Sequence, residues 1–250
     1  MGVAIAIGLM ILTDAVVGGS LLRLAARTRK APELLMGLGL FCLGPVSQLF
    51  NVLSGTGRRA VEDVSLPAHG IACVASAVGM ACIFLFVRTV FRPDQRWARI
   101  FSGLSIATLA ASAIWNIWNV AASPAGTPSA QVVRDPGTPI LALFAASFGW
   151  AALEAGLYYL RATRQARIGL LEPVVVNRFL LWTVSSASAS LLGVFLLVAH
   201  LRGAMVGLEL IPSVAICVVS LVTGIGMYLA FVPPQAYLSW LRSRALPARA

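Results

Sequence analysis

The chain has 250 residues, 59% of them hydrophobic and 11% charged, and its mean hydropathy is +0.87. A water-soluble domain of this length has no way to cover so much apolar surface, which excludes a soluble globular protein and points to an integral membrane protein. The net charge of +10 is carried by short basic clusters between apolar runs, with no nucleic-acid-binding motif beside them; the expected partner is the lipid bilayer, with no nucleic acid.

About 20 apolar residues cross the hydrocarbon as a helix. Seven such runs are expected, over 3–25, 33–54, 69–91, 97–121, 138–161, 176–200 and 208–232. The fold class is therefore all-α, a single polytopic transmembrane domain over 1–250. The first run does not read as a cleaved signal, because no basic residue precedes it and it ends in Arg23, Arg27, Arg29 and Lys30. At its centre stands Asp14, the only charged side chain between Met1 and Leu22. A carboxylate there opposes insertion by about 2.5–3.5 kcal/mol, against about 0.3–0.6 gained per Leu, Ile, Val or Phe. The residue is expected to turn from lipid toward the bundle or a wet cavity. Gly18, one turn on, with Gly19 and Ser20, allows close helix approach near that face.

The second run carries Pro45, which should kink it and free a backbone carbonyl, with Ser47, Gln48 and Asn51 following. In the fourth, "WNIWN" places Asn116 and Asn119 about one turn apart. For Gln48, Asn116 and Asn119, interhelical bonding and cavity lining are both open readings. The fifth run holds a second acid, Glu154, one turn after Trp150, so both share a face and the indole N–H is in reach of the carboxylate. Two acids inside spans suggest proton-coupled movement, or recognition of a cationic or hydroxyl-rich ligand; the alternative is a protonated acid bonded to a neighbouring Ser or Asn. In the sixth, Ser186 and Ser190 share a face and read as packing residues.

His69 and His200 fall at outer helix ends, where a hydrated or capping role outweighs metal or haem ligation. Cys42, Cys73, Cys82 and Cys217 lie inside apolar runs without zinc-ligand spacing. No cofactor, no metal and no catalytic motif is expected, so the chain is not read as an enzyme.

Fifteen of the 19 basic residues fall in the loops after runs one, three and five and in the tail, which places the N-terminus outside and the C-terminus in the cytoplasm. Trp97 and Trp240 at inner ends and Trp118 near an outer end suit that frame. Faint echoes between the halves ("ARTRK" and "RATRQ", "CVAS" and "CVVS") raise a 3+1+3 parallel repeat, although short matches arise by chance in so biased a composition.

That plan resembles the architecture shared by SWEET sugar transporters, PQ-loop transporters and microbial rhodopsins, without their signature motifs. Span two has "GPVSQ" in place of Pro-Gln, and Pro234-Gln235 lies at the end of span seven. The single lysine, Lys30, is in a loop, which excludes a retinal Schiff base in span seven. "LAARTRKAPELLMGLG" and "YLAFVPPQAYLSWLRSRA" are similar to segments of uncharacterised bacterial seven-helix membrane proteins, and assign no chemistry. The expected function is a proton-coupled small-solute transporter in the bacterial inner membrane, its site between the helix triplets. Asp14, Glu154, Trp150, Gln48, Asn51, Asn116 and Asn119 are the candidate ligand- or proton-binding residues. The alternative is a membrane-embedded ligand sensor or accessory subunit acting through a membrane or cytoplasmic protein partner.

Overall fold

The computed structural model describes residues 2–56, 60–202 and 210–244. Among the described residues the chain is all-α, and its single strand-like contact is an isolated bridge between Ala60 and Pro128. The first helix, α1 (Gly2–Thr28), ends on Arg29 with a left-handed φ of 56°, and two residues later α2 (Ala31–Phe41) starts with a proline in its first turn. So short a link folds the two helices back on each other. Gly18 and Gly37 let their backbones meet: a Cβ on Gly18 would stand 3.1 Å from the Gly37 carbonyl oxygen.

Pro45 acts as its chemistry requires. Proline offers no N–H and its ring crowds the turn before it. The helix answers by widening over Cys42–Val46 into a π turn, then resumes as α3 (Ser47–Ser54). Gly55, at φ 75°, stops it in the left-handed conformation common after helix ends.

The remaining helices are α4 (Leu66–Phe91), α5 (Arg96–Ala122), the one-turn α6 (Ser129–Val132), α7 (Arg134–Arg167), α8 (Pro173–Leu201), α9 (Leu210–Phe231) and α10 (Gln235–Arg244). Among the described residues six stretches, not the seven expected, are long and apolar enough to cross a membrane: Ala31–Ser54, α4, α5, α7, α8 and Val214–Phe231. The chain is thus a multi-pass helical membrane protein. The six do not include α1. With 34 residues, α7 is about 51 Å long against a hydrocarbon core of about 30 Å, so its last turns, with Arg161, Arg164 and Arg167, extend past the apolar slab.

Helices adjacent in sequence pack side by side. The order is α1, the α2–α3 rod, α4, α5, α7, α8 and α9, and α9 returns to α1, closing a ring that α4 and α7 bridge across the middle. That middle is filled. Met80, Ile83, Phe84 and Val87 of α4 are almost wholly buried. Phe86 packs at a tilt against Trp182 of α8, with ring centroids 4.9 Å apart, and Phe91 meets Tyr158 of α7 at 4.9 Å. Small residues set the α7–α8 spacing: Gly193 faces Ala145, and Ser190 donates to the Ala145 carbonyl at 2.8 Å.

Candidate functional site

Asp14 points onto the second rod. A Cβ on Gly44 would lie 2.5 Å from Asp14 Cβ and 2.6 Å from Asp14 Oδ2, so the carboxyl group occupies the space that this glycine leaves empty. Gly44 belongs to the π turn, next to Pro45. On the same turn of α1, Thr13 donates back to the Leu9 carbonyl and packs against Gly224 of α9. Asp14 makes no hydrogen bond and no ion pair with any described residue. The carboxyl group is therefore turned toward the bundle, as its insertion cost demands, with no polar partner among the described residues.

Glu154 stands elsewhere. It is 4% exposed and ion-paired: Arg92 Nε donates to its Oε1 at 2.7 Å, and Trp150 Nε1 donates to the same oxygen at 3.2 Å. Its second oxygen, Oε2, is buried without a hydrogen bond. Arg92 is the residue after α4, and Trp150 packs against Trp97, the second residue of α5, at 5.6 Å. Glu154 thus sits near the end of the bundle where the basic loops gather. Asp14 lies about 20 Å from that level, because the π turn it touches packs against Gly79, and Gly79 is that far along α4 from Arg92. The two acids do not share one site. Glu154 already lies off-centre in the apolar run 138–161, seven residues before Arg161, and its bond to Arg92 fixes it toward that end.

Of the amide candidates, Asn116 is buried and its Oδ1 lies 3.0 Å from His69 Nε2. Asn119 donates to the Val132 carbonyl at 3.5 Å, joining α5 to α6. Gln48 is half-buried and Asn51 is exposed. Neither meets Asp14 through a hydrogen bond, so α3 contributes no ligand set around that acid.

The sequence undervalued His69. It is not hydrated but 3% exposed, with Nδ1 at 3.0 Å from Thr56 Oγ1, Nε2 on Asn116, and Cys73 Sγ at 3.5 Å. Thr56 continues to Ser54 at 2.9 Å. This chain ties the α3–α4 loop to α4 and α5 and satisfies polar groups that burial would otherwise leave costly. The signal was available: Asn116, His69 and Ser54 all lie at the same ends of consecutive antiparallel spans. His200 does the corresponding task for α7 and α8, with Nε2 2.8 Å from the Arg134 carbonyl and 3.1 Å from Thr138 Oγ1. Both histidines are structural ties.

Among the described residues no three His, Cys, Asp or Glu side chains gather in a metal-binding group. The arrangement that remains is an isolated carboxyl at a helix irregularity inside the apolar slab, and a separate ion pair at the basic end. No protein-family model, no curated protein and no solved structure matches the chain.

Proposed function

We propose that the chain is a proton-coupled carrier of a small solute, in which Asp14 is the proton-binding group. One observation carries the reading: a carboxyl group inside the apolar slab, without a polar partner among the described residues, packed on a π turn. A carboxyl in that setting is cheapest to hold neutral, and ionising it demands either water or a cation. The π turn supplies the other half of a coupling device. Gly44 in that turn leaves the space that the Asp14 carboxyl fills, so a neutral and a charged carboxyl make different contacts on this seam. Loss of the proton then weakens the seam between α1 and the second rod and favours its opening. Such a change of differential contacts between two states is what lets proton binding drive movement.

In this reading α1 is a seventh span beside the six, the N-terminus is outside, the C-terminus is cytoplasmic, and the membrane is a bacterial inner membrane. The split of basic residues between alternate loops supports that orientation. Glu154, held by Arg92 and Trp150, serves architecture instead of transport. The test is proton flux: the purified protein in liposomes loaded with a pH-sensitive dye, challenged with small cationic and polyhydroxylated solutes. Solute-dependent acidification in wild type, lost in Asp14→Asn, supports the carrier. The aromatic filling of the ring favours a second reading, a ligand sensor acting through a partner protein. It predicts solute binding, seen as changed tryptophan fluorescence, with no proton flux.

A further inference from the structure

At the basic end, α5 and α7 diverge and leave an apolar groove of about 740 Å³, open to the outside of the bundle. Trp97, Ile100 and Leu104 of α5 form one wall, and Ala146, Trp150 and Leu153 of α7 the other. Over eight residues of each helix the groove runs about 10 Å along the bundle. Its wall is held in place, because the Trp150 indole is bonded to Glu154 and packs against Phe101 at 5.4 Å. The small side chain of Ala146 keeps the floor low. One turn before Ile100 and two before Leu104, Arg96 continues the same helix face out of the groove, with Arg99 exposed beside it. The acids nearby do not cancel them. Glu154 is already paired with Arg92, and Asp94 stands alone in the loop against Arg96 and Arg99.

We propose that this groove is a binding site for an anionic phospholipid. One acyl chain lies between α5 and α7, and the phosphate meets Arg96 and Arg99 at the foot of the groove. An apolar channel that ends on unpaired guanidinium groups at a membrane surface matches that ligand in both halves: the chain needs a dry slot along the helices, and arginine offers forked donors to phosphate. A zwitterionic lipid fills the slot equally well but gains less at the arginines.

Trp97 and Trp150 are built-in reporters. The full chain is reconstituted in phosphatidylcholine nanodiscs containing brominated phosphatidylglycerol or, at the same mole fraction, brominated phosphatidylcholine, and tryptophan quenching is compared. The expected result is stronger quenching by the brominated anionic lipid. Arg96→Gln should lower that preference about fivefold, the effect of one arginine near a charged surface. Ala146→Phe and the lipid-facing Leu104→Phe keep every arginine but fill the slot, and either should abolish the preference. Equal quenching by the two lipids in wild type would overturn the proposal. So would a preference that survives both groove-filling variants, since it would then reflect only general enrichment of anionic lipid at a basic face.

Discussion

At the scale of single residues, the chemistry turns on what each acid touches. Asp14 fills the space over Gly44, so Gly44→Ala must push the carboxyl aside or part the helices. Overpacking of this kind costs about 1–3 kcal/mol, and thermal unfolding in detergent should show it. The double variant Gly44→Ala, Asp14→Ala should recover most of the loss, because the coupling is between these two residues. A loss unchanged in the double variant would place the clash elsewhere. Outside the membrane, Glu62 accepts the Gly126 N–H at 2.7 Å, and that bond holds its carboxyl below the usual range. A depressed folded value means stabilisation that is full above the ordinary glutamate range, near pH 4.3, and lost as pH falls through the lower folded value. Protection of the Gly126 amide, its exchange rate relative to the intrinsic rate at the same pH, should therefore fall on acidification only below that range, and Glu62→Gln should remove the step. The setting of Asp14 was legible from sequence, since a lone charge in an apolar run has few affordable places. The pairing of Glu154 was not, because Arg92 stands 62 positions away and only the fold brings them together.

At the scale of elements, two irregularities organise the bundle. The π turn exists because Pro45 sits mid-helix. Pro45→Ala should let Cys42–Val46 relax to an ordinary α-helix, rotate Gly44 away from Asp14, and increase amide protection across 40–48. It should also blunt any pH dependence of that protection; an unchanged exchange pattern would show that proline does not cause the turn. The second irregularity is the tie from the end of α4 to α7. Removing Arg92 strands a buried carboxylate, whereas removing both partners does not. Arg92→Gln should destabilise by about 1–2 kcal/mol, less than the ~3–5 kcal/mol of a fully buried pair because Arg92 is 31% exposed, and Arg92→Gln with Glu154→Gln should cost less than the single change. A kink at Pro45 could be read from sequence, but its form could not, because whether a proline breaks, bends or widens a helix depends on neighbours such as Leu43 against Gly79. Helix existence followed from hydropathy. Helix ends did not: α7 runs to Arg167, six residues past the apolar run, since arginines prolong a helix beyond the membrane at no cost.

At the scale of the whole molecule, the ring follows chain order because each short loop turns one helix back against the last. Hydropathy carries no information about the closure of α9 on α1 or the contact of α4 with α7, which depend on small residues meeting across helices. Orientation can be checked with membrane-impermeant thiol labelling in a background without the native cysteines. Ser129 is unsuited to the outer label because it is fully buried, whereas Ala125 and Ser243 are exposed. Ala125→Cys should label from outside and Ser243→Cys only after lysis; the reverse would invert the topology. The central claim is that Asp14 takes up and releases a proton within the folded bundle. Infrared difference spectra of the reconstituted protein, recorded as pH is stepped, report the carbonyl stretch of a protonated carboxylic acid directly. The account predicts a pH-dependent acid band in wild type that is absent in Asp14→Asn and retained in Glu154→Gln, and a band that persists unchanged in Asp14→Asn would contradict it.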